Sequence, residues 1–332
     1  MRVPDTTQTK NVQAPRRIRA YLAATNKNPV LLRASTEEDA ERYAREAASF
    51  TGDPVVHIPS RGVVYGDVFE PSVLRVGRRQ RAMYALDSAK VVVAGPRAMM
   101  ERTPLYAPLE LADGIESDLD ATLEKLVELG YERSDRASRP GEFTVRGGIV
   151  DLFPSTRRSP VRIEWWGDEI ESVRAISLAT PRVVRELEAI TVYAAREADL
   201  ASLAAANEGF PEEARRGVRT PGLDQLLLEK EPVSVRELLS EAKIWYEEAR
   251  EDLPEDLDGF VPELYDTELP EPDLEFTGSA EGEIVSAPPI AAFAETIREA
   301  GRRLDDLAEN GFAVFIACGS KGEARRTIYA FG

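Results

Sequence analysis

Cysteine occurs once, at Cys318, and histidine once, at His57. A single thiol excludes an internal disulfide and any cysteine-based metal cluster. A Ser-His-Asp triad, a multi-histidine zinc site or a Cys-His pair would have to be assembled around one of those two residues. Most common hydrolase and metal chemistries are therefore disfavoured, and neither a catalytic residue nor a metal or cofactor is expected. No apolar run approaches the ~18 residues that a membrane span requires. The opening stretch MRVPDTTQTKNVQAPRR is polar and basic, with no apolar centre for a secretory signal. A cytoplasmic chain without a membrane partner is expected. A phosphate grip is lacking too. Nucleotide-hydrolysing α/β domains place Gly-x4-Gly-Lys-Ser/Thr between a strand and a helix, where backbone N–H groups and the lysine neutralise phosphate. The nearest candidates, Gly319-Ser-Lys321-Gly322 and Ala94-Gly95-Pro96, do not have that spacing.

What is present fits a globular chain. Of 332 residues, 43 % are hydrophobic and 30 % charged, enough to build two or three domains. The formal charge of −17 is a local property: residues 229–283 carry 19 acidic and 4 basic side chains, which leaves the remainder at −2. That segment reads as a solvated acidic surface, and it would repel nucleic-acid phosphate.

Residues 1–16 read as a disordered lead-in. The apolar run from Pro29 to Arg33 predicts a strand, and Ser35-Thr-Glu-Glu-Asp39 is a helix start with acids in the first turn. Val55–Ile58 is the next strand, with His57 packed in it or at an edge. A helix from Val73 to Leu86 precedes the strand Lys90–Ala94, an alternation that predicts a parallel layer. Glu116–Leu129 is an amphipathic helix closed by Gly130. Helices are expected over Leu200–Ala206, Leu223–Glu229, Val233–Glu251, Ile290–Asn310 and Glu323–Phe331. Residues 252–289, acidic and rich in proline, read as irregular surface chain with one strand over Gly282–Ala287. A strand is expected over Ala313–Ala317.

Between Tyr131 and Val192 the pattern changes to short β runs broken by Pro140, Gly147-Gly148, Pro154, Pro160 and Gly167, as an antiparallel sheet requires. The glycine pair suits either a hairpin turn or a kinked strand, and Arg157-Arg158 a solvated turn tip. In VRIEWW, Val161, Ile163 and Trp165 share one face; Arg162, Glu164 and Trp166 share the other. Burial of the aliphatic face leaves Trp166 exposed beside Arg162, a pairing typical of protein-binding anchors, unless a second layer covers it. The alternation of Glu142–Arg146 puts Arg146 on its polar face. Two other chemistries compete. Asp151, Glu164 and Asp168 could run acid–base catalysis, although most acids here are solvated. Arg75, Arg78, Arg79 and Arg81 could meet DNA, although such arginines more often form surface ion pairs.

The order Gly141, Phe143, Arg146-Gly147, Asp151, Phe153-Pro154, then Arg162 to Glu171 and Ser172-Val-Arg174, resembles the second domain of bacterial transcription–repair coupling factors, shared with the excision nuclease subunit UvrB. The resemblance implies a degenerate P-loop-like α/β domain in two sequence pieces, 17–113 and 197–332, with a small antiparallel β-rich domain inserted at 114–196. It implies an adaptor rather than an enzyme, recruiting UvrA to stalled RNA polymerase in nucleotide excision repair. The UvrA-docking residues implied are Arg146, Arg162 and Trp166, the last standing where phenylalanine is common. RNA polymerase, DNA, ATP and magnesium would be served by domains beyond Gly332. A chain ending there is then expected to be a truncated product or fragment that neither hydrolyses ATP nor moves on DNA.

Overall fold

The computed structural model describes residues 11–65, 70–179, 182–197, 231–239, 241–247, 262–266, 271–277, 283–284, 297–310, 314, 316 and 321–331. The chain first builds β1 (Asn11–Gln13), α1 (Arg16–Thr25), β2 (Val30–Arg33) and α2 (Glu37–Ala48). It continues with β3 (Val55–Ile58), α3 (Val73–Tyr84), β4 (Val91–Ala94) and α4 (Pro96–Met100). Val30-Leu-Leu and Val91-Val-Val are apolar without alternation because both faces of their sheet are covered. Helix α2 is started by Thr36, whose side chain accepts from the Asp39 amide, and its dipole is met by Glu37, Glu38 and Asp39. Its Ala40, Tyr43, Ala44 and Ala47 recur at helical spacing and turn inward.

The second stretch contains β5 (Leu109–Ala112), α5 (Leu119–Glu128), β6 (Glu132–Arg133), β7 (Glu142–Arg146) and β8 (Ile149–Leu152). After them come β9 (Val161–Trp166), β10 (Glu169–Ile176), β11 (Val183–Leu187) and β12 (Ala189–Val192). Strands β11-β10-β9-β8-β7-β6 form one sheet, antiparallel apart from the β6–β7 pair, while β12 pairs with β5. One face of the sheet supplies Phe143, Val150, Leu152, Ile163 and Ile170 to a core closed by Leu126 and Leu129.

The chain then returns through α6 (Val235–Leu238), β13 (Lys243–Glu247), β14 (Leu274–Phe276), β15 (Glu283–Ile284), α7 (Ile297–Glu309) and α8 (Lys321–Phe331). Its strands join the first stretch in a parallel sheet of order β15-β1-β14-β13-β2-β4-β3. The fold is thus α/β, its parallel sheet drawn from two sequence pieces that flank an antiparallel, β-rich unit.

Three expectations are corrected. Residues 11–13, assigned to a disordered lead-in, are a strand between β14 and β15 with Val12 fully buried, and 16–25 are helical. The helix expected over Val233–Glu251 stops at Leu238, and Lys243–Glu247 is a central strand. Within 252–289, Leu274–Phe276 is also a strand of the sheet interior, with Leu274 and Phe276 buried, and the edge strand near Gly282–Ala287 covers Glu283–Ile284. The helices expected at 200–206 and 223–229 lie outside the described residues, as does most of the strand expected at 313–317; Val314 and Ile316 have no strand assignment and stand exposed.

The two units meet along α3. A Cβ added at Gly77 would stand 2.8 Å from the Ser155 backbone carbon and closer still to its side chain, so only glycine lets the helix approach the loop after β8. Beside this contact the buried Arg61 donates its fork to the buried Glu197, which leaves the inserted unit.

Candidate partner-binding face

Register decides what the outer face of the six-stranded sheet displays. Thr144 pairs with Asp151, Asp151 with Arg162 and Arg162 with Arg174; one step along, Arg146 pairs with Ile149 and Ile149 with Glu164. Arg146, Arg162 and Trp166 therefore lie on one face, away from the core formed by Val150, Ile163 and Trp165. Trp165 and Trp166 are neighbours with opposite fates. Trp165 is buried and donates its indole N–H to the Ser117 carbonyl at 2.9 Å, whereas Trp166 is 80 % exposed. Among the described residues no second layer covers Trp166.

Two hairpin turns set this end of the sheet. Gly147-Gly148 is a two-residue turn between Arg146 and Ile149, with Gly147 at φ 62°, which resolves the glycine pair in favour of the hairpin. Gly167-Asp168 closes β9 onto β10, with Gly167 also at φ 62°, and holds Trp166 opposite Glu169. Ile149, 36 % exposed, adds aliphatic surface beside Arg146.

The two arginines are not equivalent. The Arg162 fork donates to Asp151 at 2.7 and 2.9 Å, with side chains only 21 % and 12 % exposed. The hydrogen bond to Asp151, followed by partial burial acting the other way, leaves its pKa raised. Its planar group is thus held flat on the sheet rather than free to grip a partner's carboxylate with both arms. Arg146 is exposed, and among the described residues its guanidinium reaches only the Asp135 carbonyl, at 3.4 Å. Arg174, which sequence did not single out, completes the face by donating to Glu164 at 2.7 Å and to Glu186 at 3.1 Å.

Some residues of the competing chemistries are engaged within the fold, while Arg75, Arg78 and Arg81 stay exposed. Asp151 and Glu164 are committed to Arg162 and Arg174, and Glu164 also accepts from Ser172. Arg79, expected in a surface cluster with Arg75, Arg78 and Arg81, is instead buried. It donates to the carbonyls of Pro59, Ala98 and Glu101 and pairs with the Glu101 carboxylate at 3.3 Å. His57 sits in the edge strand β3, and burial lowers its pKa. At the β2–α2 loop, where a phosphate would sit in a nucleotide-binding layer, the chain's own acids are in place. The Ser35 amide donates to buried Glu247 and the Asp39 amide to Thr36. Glu37 crosses to accept from the amides of Arg97 and Ala98 that open α4. Among the described residues no helix is long and apolar enough to cross a membrane.

Residues 109–197 match the family model of the UvrB interaction domain. The transcription-repair-coupling factor of Mycobacterium tuberculosis is 37 % identical over 194 residues, covering 54 % of this chain and 16 % of the relative. That of Bacillus subtilis is 37 % identical over 107 residues, 32 % of this chain and 9 % of the relative. UvrABC system protein B of Chlorobium limicola is 39 % identical over 89 residues, 27 % of this chain and 13 % of the relative. The matched stretch thus spans about a sixth of the mycobacterial relative's length. These matches support the resemblance drawn from residues 141–174: residues 109–197 are similar to the UvrB interaction domain, and about half of the chain is similar to part of a transcription-repair-coupling factor.

Proposed function

We propose that this chain is a non-catalytic adaptor in nucleotide excision repair, and that the sheet face bearing Arg146, Arg162 and Trp166 docks UvrA. Within a transcription-repair-coupling factor, that contact brings UvrA to a stalled RNA polymerase. The carrying observation is the Trp166 indole, 80 % exposed on a rigid sheet whose turn fixes its position. An exposed aromatic held without entropy cost is the typical centre of a binding hot spot. Arg146 supplies at its rim an exposed guanidinium with no carboxylate partner among the described residues, and Asp151 holds Arg162 in the plane of the face as a positioning residue. The role needs no chemistry from this chain.

Titration calorimetry against UvrA tests the reading. Trp166→Ala removes an anchor worth about 2 kcal/mol or more, so affinity falls ~30-fold. Arg146→Glu weakens binding comparably. Both positions are solvent-facing, so thermal stability stays within about 0.5 kcal/mol of the parent. Arg162→Glu is a poorer probe, because it would set a second acid against Asp151 and disturb the sheet itself. Unchanged UvrA affinity in both exposed variants overturns the assignment.

A further inference from the structure

The opposite end of the same sheet carries a second charged surface that the docking face does not use. Three loops converge there. The loop before β7 meets the loop after β8 where the Gly141 amide donates to the Phe153 carbonyl at 2.8 Å. The end of β10 joins them where the Ile176 amide donates to the Pro160 carbonyl at 3.0 Å, and Arg182 is placed alongside by the Ser177 amide bonding its carbonyl at 3.0 Å. Arg136 ties the first loop to the third, donating to the Leu178 carbonyl at 2.6 Å.

This end presents Arg136, Arg157, Arg158, Arg182 and Arg185, and among the described residues none of them has a carboxylate within ion-pair distance; all but half-buried Arg157 are exposed. Arg157 has its pKa lowered by burial first and by Arg185 second, which brings two like charges together without an anion between them. These loops also carry Ser134, Ser138, Thr156, Ser159 and Ser177, and among the described residues their one aromatic side chain, Phe153, is buried. Leu178, Val183 and Val184 are exposed beside them, but guanidinium and hydroxyl groups without an exposed aromatic anchor are the chemistry of backbone phosphate contact rather than of a protein hot spot.

We infer that this arginine- and serine-bearing end of the inserted unit contacts the phosphate backbone of DNA without reading its sequence, on a surface distinct from the Trp166 face. The contact is local. The chain as a whole is acidic, so long-range attraction is weak and binding depends on releasing counterions from the few phosphates engaged.

Fluorescence anisotropy of the full chain with a labelled duplex of about 20 base pairs, across about 50 to 200 mM salt, tests this. The expected result is binding at low salt with a linear fall of log affinity in log salt. Arg158→Glu with Arg185→Glu should lower affinity at least ~tenfold and flatten the slope by about two counterions. Trp166→Ala should leave both unchanged, so the two surfaces fail or stand separately. The proposal is overturned by no binding at low salt, or by equal affinity and slope in the double variant with an unaltered circular dichroism melt. Binding of polyglutamate, but not DNA, that is lost in the double variant overturns it in favour of an acidic protein partner.

Discussion

Tyr131 shows how much a single hydroxyl can hold. It is buried, accepts from the Ser155 amide at 2.9 Å and donates to the Tyr193 carbonyl at 2.9 Å. Burial pushes its pKa up to about 12, against the opposing pull of its bonds to Ser155. Because the folded value is raised and an unfolded tyrosine titrates near about 10, the associated stability is complete below that pH. It is lost as pH rises toward the folded value, at up to about 1.4 kcal/mol per pH unit. Tyr43 and Tyr65 are also raised by burial and add to the alkaline loss. Urea titrations through this alkaline window should show stability falling. Tyr131→Phe should start lower by about 1–3 kcal/mol, since the Ser155 amide loses its acceptor, and then fall less steeply. An identical slope in the variant would remove Tyr131 from the account. At the same scale, the alternation of VRIEWW put Trp165 and Trp166 on opposite faces, and the structure leaves the second of them exposed. It could not reveal that Arg162 is held by Asp151, eleven positions away, because that pairing depends on the register through β8.

At the scale of elements, Gly77 is the test of how the two units join. Alanine is favoured over glycine inside a helix by about 1 kcal/mol, so Gly77→Ala would stabilise α3 in isolation. Here the added Cβ collides with Ser155, including its backbone. Overpacking of about 1–3 kcal/mol should prevail, lowering the melting temperature. A variant that melts higher would show that the loop after β8 yields freely. The elements that sequence missed share one cause. Glu241–Arg250 has helical charge spacing, and Ser234 with Glu237 forms a capping box that does begin a helix. Yet Lys243–Glu247 lies between β2 and β14, where Trp245 packs edge-on against Phe276. A slot in the centre of a sheet overrides local propensity. The same competition hid Val12 and Phe276, which pair with each other across more than two hundred residues of chain, and Leu274, which pairs with Trp245. By contrast, β2, α2, β3, α3 and β4 were legible because, apart from the pairing of β2 with β13, their strand pairings fall within one continuous stretch of chain, and β7 to β10 because antiparallel hairpins carry their alternation within a few residues.

Across the whole molecule, the parallel layer and the inserted unit are held by charges that water does not reach. Arg61 donates to Glu197 at 3.0 Å through Nε, lies 3.6 Å over the Tyr65 ring centroid, and presents its amide to Glu101 at 2.9 Å. Glu101 in turn pairs with buried Arg79. Such a network adds little net stability compared with apolar packing, but cutting one partner strands the other in the interior. Glu197→Ala should therefore cost about 3–5 kcal/mol, whereas Arg61→Met combined with Glu197→Leu should recover most of that loss. Because Glu197 is the last residue of the stretch matched by the interaction-domain family and Arg61 belongs to the parallel layer, removal of the pair should also uncouple the two. Urea unfolding followed by fluorescence and by circular dichroism should coincide in the parent and separate into two transitions in Glu197→Ala. Coincident curves in the single variant would place the coupling in the Gly77–Ser155 contact instead, where the alanine substitution should then be the one that splits the transition.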